Sequence, residues 1–190
     1  MNRLITRLIP AAALLPSAAL AHPGHSHDEG QFLHGLMHPV GGADHLLAMV
    51  ALGLLAAQLG GRAVWALPVT FVGAMLAGGV LGAFGIAMPA VEPMILASVV
   101  ILGVMVAMAV RLPMAVLLPA VALFGAAHGW AHGAEGPASG LSLYAAGFAL
   151  ATMALHLSGI GLGRLLARGP ELRVLGGGTT AAGLALAVIG

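Results

Sequence analysis

Six stretches of the chain are apolar over roughly the length a helix needs to cross a bilayer, and only short connections separate them. They run over about 33–59, 64–86, 92–110, 113–133, 140–163 and 173–190. In lipid every backbone N–H and C=O must be satisfied within the protein, which leaves helices and closed barrels. These runs are continuous, with no apolar–polar alternation, so they predict an all-α fold: a polytopic membrane bundle of six transmembrane helices. The sixth run contains Gly176-Gly177-Gly178 near its start and is barely long enough to cross. A water-facing fold is excluded because 60% of residues are hydrophobic and 7% charged, where a soluble domain carries about 25% charged residues. The lipid bilayer is therefore one partner, and a net charge of +1 offers no field for nucleic acid.

Residues 1–21 read as a cleaved signal peptide. Arg3 and Arg7 form a positive start, Leu8 to Leu15 a short apolar run broken by Pro10, and Ala19-Leu20-Ala21 a small-residue cleavage site. The alternative is an uncleaved first helix. Cleavage leaves a His-rich segment over 22–32, with His22, His25 and His27 beside Asp28 and Glu29, ahead of the transmembrane domain at 33–190. The basic residues set the orientation. With the N-terminus outside, Arg62, Arg111, Arg164, Arg168 and Arg173 all fall in cytoplasmic connections. The outer segments carry Asp28, Glu29, Glu92 and Glu135. The expected location is a bacterial inner membrane with a periplasmic mature N-terminus. Gly73, Ala77, Gly78, Gly79 and Gly82 give the second run a small face for close helix packing.

Polar groups inside a membrane are costly and mark function, and here nine histidines are the commonest ionisable residues. In the first run, at about 100° per residue, His34, His38, His45 and Met49 fall within about 60° of one another, while Asp44 lies off that stripe. Asp44 is then a ligand from a neighbouring direction, or it holds a histidine N–H from behind the ligand. Pro39 either starts the helix or kinks it; if it starts it, His34 belongs to the preceding loop. In the fourth run His128 and His132 are four residues apart on one face, a spacing suited to clamping a metal, and Glu135 lies on the same side. By topology both sets sit at the outer level of the membrane. Glu92, at the outer start of the third run, either lines the same vestibule or marks the interface. His156, inward of the middle of the fifth run, is either a deeper station or a helix–helix hydrogen bond.

With no cysteine, thiolate sites and disulfides are excluded. Imidazole and carboxylate ligands favour divalent Ni, Co, Zn or Fe over Cu(I). The candidate metal ligands are thus His38, Asp44, His45, His128, His132 and Glu135, with His34, Glu92, His156, His22, His25 and His27 as weaker members. The ion is substrate, and no permanently bound cofactor is expected. Two other classes share these residue types: a haem-b electron carrier with histidine axial ligands and an intramembrane zinc hydrolase with Asp44 or Glu135 as base. The haem reading is crowded by carboxylates. The hydrolase reading lacks an H-E-x-x-H motif, and His156 and Ser158, two apart on a helix, do not face each other.

The segments His38-Pro39-Val40-Gly41-Gly42-Ala43-Asp44-His45-Leu46-Leu47-Ala48-Met49 and Ala127-His128-Gly129-Trp130-Ala131-His132-Gly133-Ala134-Glu135 resemble the two motifs of the HupE/UreJ family of hydrogenase- and urease-associated membrane proteins. A signal followed by six spans is similar to that family's layout, and the resemblance covers essentially the whole mature chain. It implies a secondary nickel permease, with cobalt handled by some members, that feeds the maturation of a nickel enzyme and is not itself an enzyme. Carried over by motif, it implies roles for His38, Asp44, His45, His128, His132 and Glu135; Glu92 resembles an acidic position in the family's middle region.

Overall fold

The structure, a computed structural model, describes residues 27–166 and 170–189. The signal peptide with its cleavage site, His22, His25 and Arg168 lie outside the described residues, as does the side chain of His27. The described chain is all-α. Its helices are α1 (His27–Gly41), α2 (Ala43–Leu59), α3 (Ala63–Ala83), α4 (Val91–Ala107), α5 (Met114–Ala134), α6 (Leu141–Leu165) and α7 (Glu171–Ile189). Among them α3, α5, α6 and α7 are each long and apolar enough to cross a membrane. Their outer faces show lipid-compatible side chains such as Val69, Val80, Leu150 and Leu157. α4 is apolar but shorter, with 17 residues spanning roughly 25 Å.

The first predicted span is corrected: it is two helices, α1 and α2, whose axes differ by 80°. Counted together they make a fifth candidate span. Pro39 neither starts a helix nor makes the bend. It sits in the last turn of α1, and the chain breaks at Gly42, whose backbone is extended (φ −103°, ψ 122°). His34 consequently lies in a helix and not in a loop.

The bend lets one stretch of chain follow α6 along most of its length. α1 packs on the first half, where Gly35 meets the backbone of Tyr144 and Gly147 that of Phe32. α2 packs on the second half, where Gly53 meets the backbone of His156 and Gly159 that of Val50. At each of these glycines a Cβ would overlap the partner's main chain, so the small residue sets the approach. α3 and α5 run side by side in the same direction by the same device. Gly125, Gly129 and Gly133 of α5 lie on the backbones of Phe71, Met75 and Gly79, while Gly78 and Gly82 of α3 lie on those of Ala126 and Trp130. The predicted small face of α3 is thus confined to Gly78, Gly79 and Gly82; a side chain at Gly73 would meet open space. α4 and α7 pair through Gly103 and Gly176.

Between these pairs sits a core of Leu52, Leu54, Leu55, Leu67, Phe71, Met75, Leu102 and Leu117. Arg62, Arg111, Arg164 and Arg173, at or near the α2–α3, α4–α5 and α6–α7 connections, collect at one end of the bundle. Gln58 Nε2 donates to Val106 O at 3.0 Å, tying the end of α2 to that of α4. Arg173 Nε donates to Ala107 O at 2.8 Å, and Arg62 stacks over Trp65 at 6.0 Å.

Candidate metal site

The break at Gly42 builds the site. α2 begins afresh there, with Leu46 N–H donating to Gly42 O at 3.0 Å, and Asp44 falls in its first turn, where the helix dipole favours a negative charge. Oδ1 of Asp44 accepts from the backbone N–H of His45 at 2.8 Å and from His45 Nδ1–H at 2.9 Å. This pairing fixes the ring: a proton held on Nδ1 leaves Nε2 as a bare lone pair. Of the two sequence readings of Asp44, the geometry matches the residue that holds a histidine from behind.

Nε2 of His45 touches Nε2 of His132 at 2.5 Å. Since His45 offers a lone pair there, His132 donates. His132 sits in the last turn of α5, and its ring packs at 4.6 Å from that of His38 and 4.4 Å from Phe148. One turn deeper on α5, His128 lies 4.6 Å from the His45 ring. Ser98 Oγ donates its one proton to Ile95 O at 2.6 Å, so at 3.0 Å from His128 Nε2 it is the acceptor. A neutral His128 therefore carries its proton on Nε2, and its Nδ1 is a bare nitrogen, buried and without a hydrogen-bond partner. Buried polar atoms are nearly always paired, and this nitrogen keeps a lone pair that could accept a ligand.

The rings form a file that runs from α1 into the bundle. His34 lies 5.8 Å from His38 and 5.2 Å from Tyr144, then come His38, His132, His45 and His128. A cleft of about 460 Å³, lined by His34, Met37, His38, Gly41, Gly42, Asp44 and His45, opens onto it. The two sequence clusters are thus brought together even though the first run is not one straight helix. Among the described residues no group of three or more histidine or acidic side chains stands in coordinating geometry. The 2.5 Å contact shows why: two imidazole nitrogens on one tetrahedral ion stand about 3.3 Å apart. Holding an ion there requires the rings of His45 and His132 to part by roughly 0.8 Å, with the ion replacing the proton they share.

Other candidates sit apart from this file. Glu135 is the exposed C-terminal cap of α5, and Glu92 is exposed in the first turn of α4. Val91 and Ile95 of α4 pack with Ala127 and Ala131 of α5, and neither carboxylate makes a hydrogen bond or ion pair with the rings among the described residues. Met49, which shares the sequence stripe, is buried in the apolar core. Among the described residues His156 makes no helix–helix hydrogen bond, and neither ring nitrogen has a partner. Ser158 turns away and donates to Ala154 O at 2.8 Å. Sequence reasoning missed Ser98, Tyr144 and Phe148. Ser98 carried a signal, since apart from Glu92 it is the one polar side chain in α4; Phe148 carried none.

Comparison with known proteins bears on the same residues. A family model described as HupE / UreJ protein matches residues 10–186, a range that holds both motifs. The chain is similar to Protein HupE of Rhizobium leguminosarum bv. viciae, 48% identical over 182 residues that cover 94% of each chain. No solved structure matches it.

Proposed function

The chain belongs to the HupE/UreJ family, and on that premise we propose that it is a secondary transporter carrying a divalent transition-metal ion, Ni²⁺ first and Co²⁺ second, inward across a bacterial inner membrane for the maturation of a hydrogenase or urease. The observation that carries this reading is the contact between Nε2 of His45 and Nε2 of His132, made between two helices and backed by the Asp44 carboxylate. Imidazole nitrogens with one carboxylate and no thiolate suit a borderline divalent ion.

In this scheme a hydrated ion enters the cleft at the α1–α2 bend, drawn by Glu92 and Glu135 at the mouth and by the His22–His27 segment. It exchanges water for the nitrogens of His38, His45, His132 and His128, while Asp44 offsets part of its charge. A negative interior then favours release inward, by about 4.6 kcal/mol per 100 mV for a double charge. The bend supplies what a straight helix cannot, a backbone break beside a cavity at membrane depth, which is where lipid-embedded chains tolerate one.

No observation favours the rivals. The 2.5 Å contact between ring nitrogens of His45 and His132 leaves no gap for a haem, and Asp44, committed to His45, is no free base for a hydrolase. The test is radiometal uptake into proteoliposomes with Ni²⁺, Co²⁺ and Zn²⁺ in competition, under an inside-negative potential. Absence of uptake of any of the three by well-folded protein would refute the transport reading.

A further inference from the structure

His156 of α6 is fully buried, and among the described residues neither ring nitrogen has a hydrogen-bond partner. A side chain that serves packing alone has no use for two unmet nitrogens in a dry interior, where leucine of similar volume carries no such cost. The residue is not isolated from the histidine file. The Phe71 ring of α3 lies 5.4 Å from His128 and 5.1 Å from His156, so a single phenyl packs near both imidazoles. Along the same α3–α6 seam, the Thr152 hydroxyl, one turn from His156, donates to the Met75 thioether at 3.7 Å; Met75 is one turn from Phe71. The seam thus offers a nitrogen, an oxygen and a sulfur in an otherwise apolar core. His156 also lies deeper than the outer cluster. Phe148, which touches His132 and His45, precedes it on α6 by eight residues, or about 12 Å.

We propose that His156 is an inner station for the ion, taken up from His128 when the Phe71 ring turns aside. The inference rests on the transport reading and assigns a second site to it. One imidazole supported by a weak hydroxyl and a thioether binds a divalent ion loosely, as suits a group that must release what it accepts. The backbone of α6 at His156 is held against Gly53 of α2, so the moving part is the phenyl and not the helix.

The test uses the full chain with His156→Leu and His156→Gln, in detergent and in proteoliposomes. Leucine removes the buried nitrogens and should leave the melting temperature unchanged or raise it. Equilibrium Co²⁺ binding at the outer cluster, read from the visible absorption of the ion, should stay within about threefold of wild type, while initial Ni²⁺ uptake falls at least tenfold, in line with loss of a ligand on the path. Wild type should also show a weaker second Co²⁺ binding event that His156→Leu lacks. Uptake within twofold of wild type in either folded variant would overturn the proposal, as would loss of the fold in both, which assigns His156 to packing. If wild type fails to transport but the second binding event appears and depends on His156, the transport reading falls while the inner site stands.

Discussion

Replacing Asp44 tests the logic of the site most directly. Its Oδ1 receives two hydrogen bonds from His45, one from the backbone and one from Nδ1, and the second decides which nitrogen faces His132. Asp44→Ala removes the orienting partner and, among the described residues, the one carboxylate in hydrogen-bond contact with the cluster. Loss of such a partner costs about 10- to 100-fold in metal affinity, equivalent to about 1.4 to 2.7 kcal/mol. That agrees with the roughly 1.5 to 3 kcal/mol assigned to a hydrogen bond to a charged group. Asp44→Asn keeps an acceptor for Nδ1–H and discards the charge, so it should fall between, at about 3- to 10-fold. The assay is Co²⁺ titration followed by absorption, paired with Ni²⁺ uptake. Were Asp44 a direct ligand, Asn and Ala would fall equally far, and the Co²⁺ spectrum would report a changed coordination sphere. Binding by Asp44→Ala within threefold of wild type would refute the orienting role altogether.

Neighbouring glycines should respond differently. A Cβ at Gly41 meets nothing within 4 Å, whereas one at Gly42 stands 3.0 Å from Asp44 Oδ1 and 3.3 Å from His45 Nδ1; Gly41→Ala should transport normally, and Gly42→Ala should lose several-fold in Co²⁺ affinity. Ser98→Ala deprives His128 Nε2–H of its acceptor and leaves a buried donor unpaired, at about 1 to 3 kcal/mol. A lower melting temperature with weakened metal binding is expected; unchanged values would dismiss the proposed tautomer. Gly129→Val drives a side chain into the backbone of Met75 and should destabilise the α3–α5 pair by about 1 to 3 kcal/mol, read as a fall in melting temperature, while Gly73→Val, facing open space, should not.

The apolar runs and the scarcity of charge determined an all-helical membrane chain, because hydration cost and backbone satisfaction are local matters that each residue contributes independently. The two motifs likewise drew attention to His38, Asp44, His45, His128 and His132, since residue type alone marks what can bind a metal. Spacing on a helical wheel then failed where the helix stopped. Nothing local distinguishes Gly42 from Gly41 or Pro39 as the break; it is set by the packing of α1 and α2 on successive halves of α6. Only the tertiary structure could set His45 against His132 across 87 positions, give His128 its partner on α4, and leave Glu92 and Glu135 exposed. The free nitrogens of His156 belong to the same class: whether a buried polar atom has a partner depends on what other helices bring to it, and no single stretch of sequence holds that information.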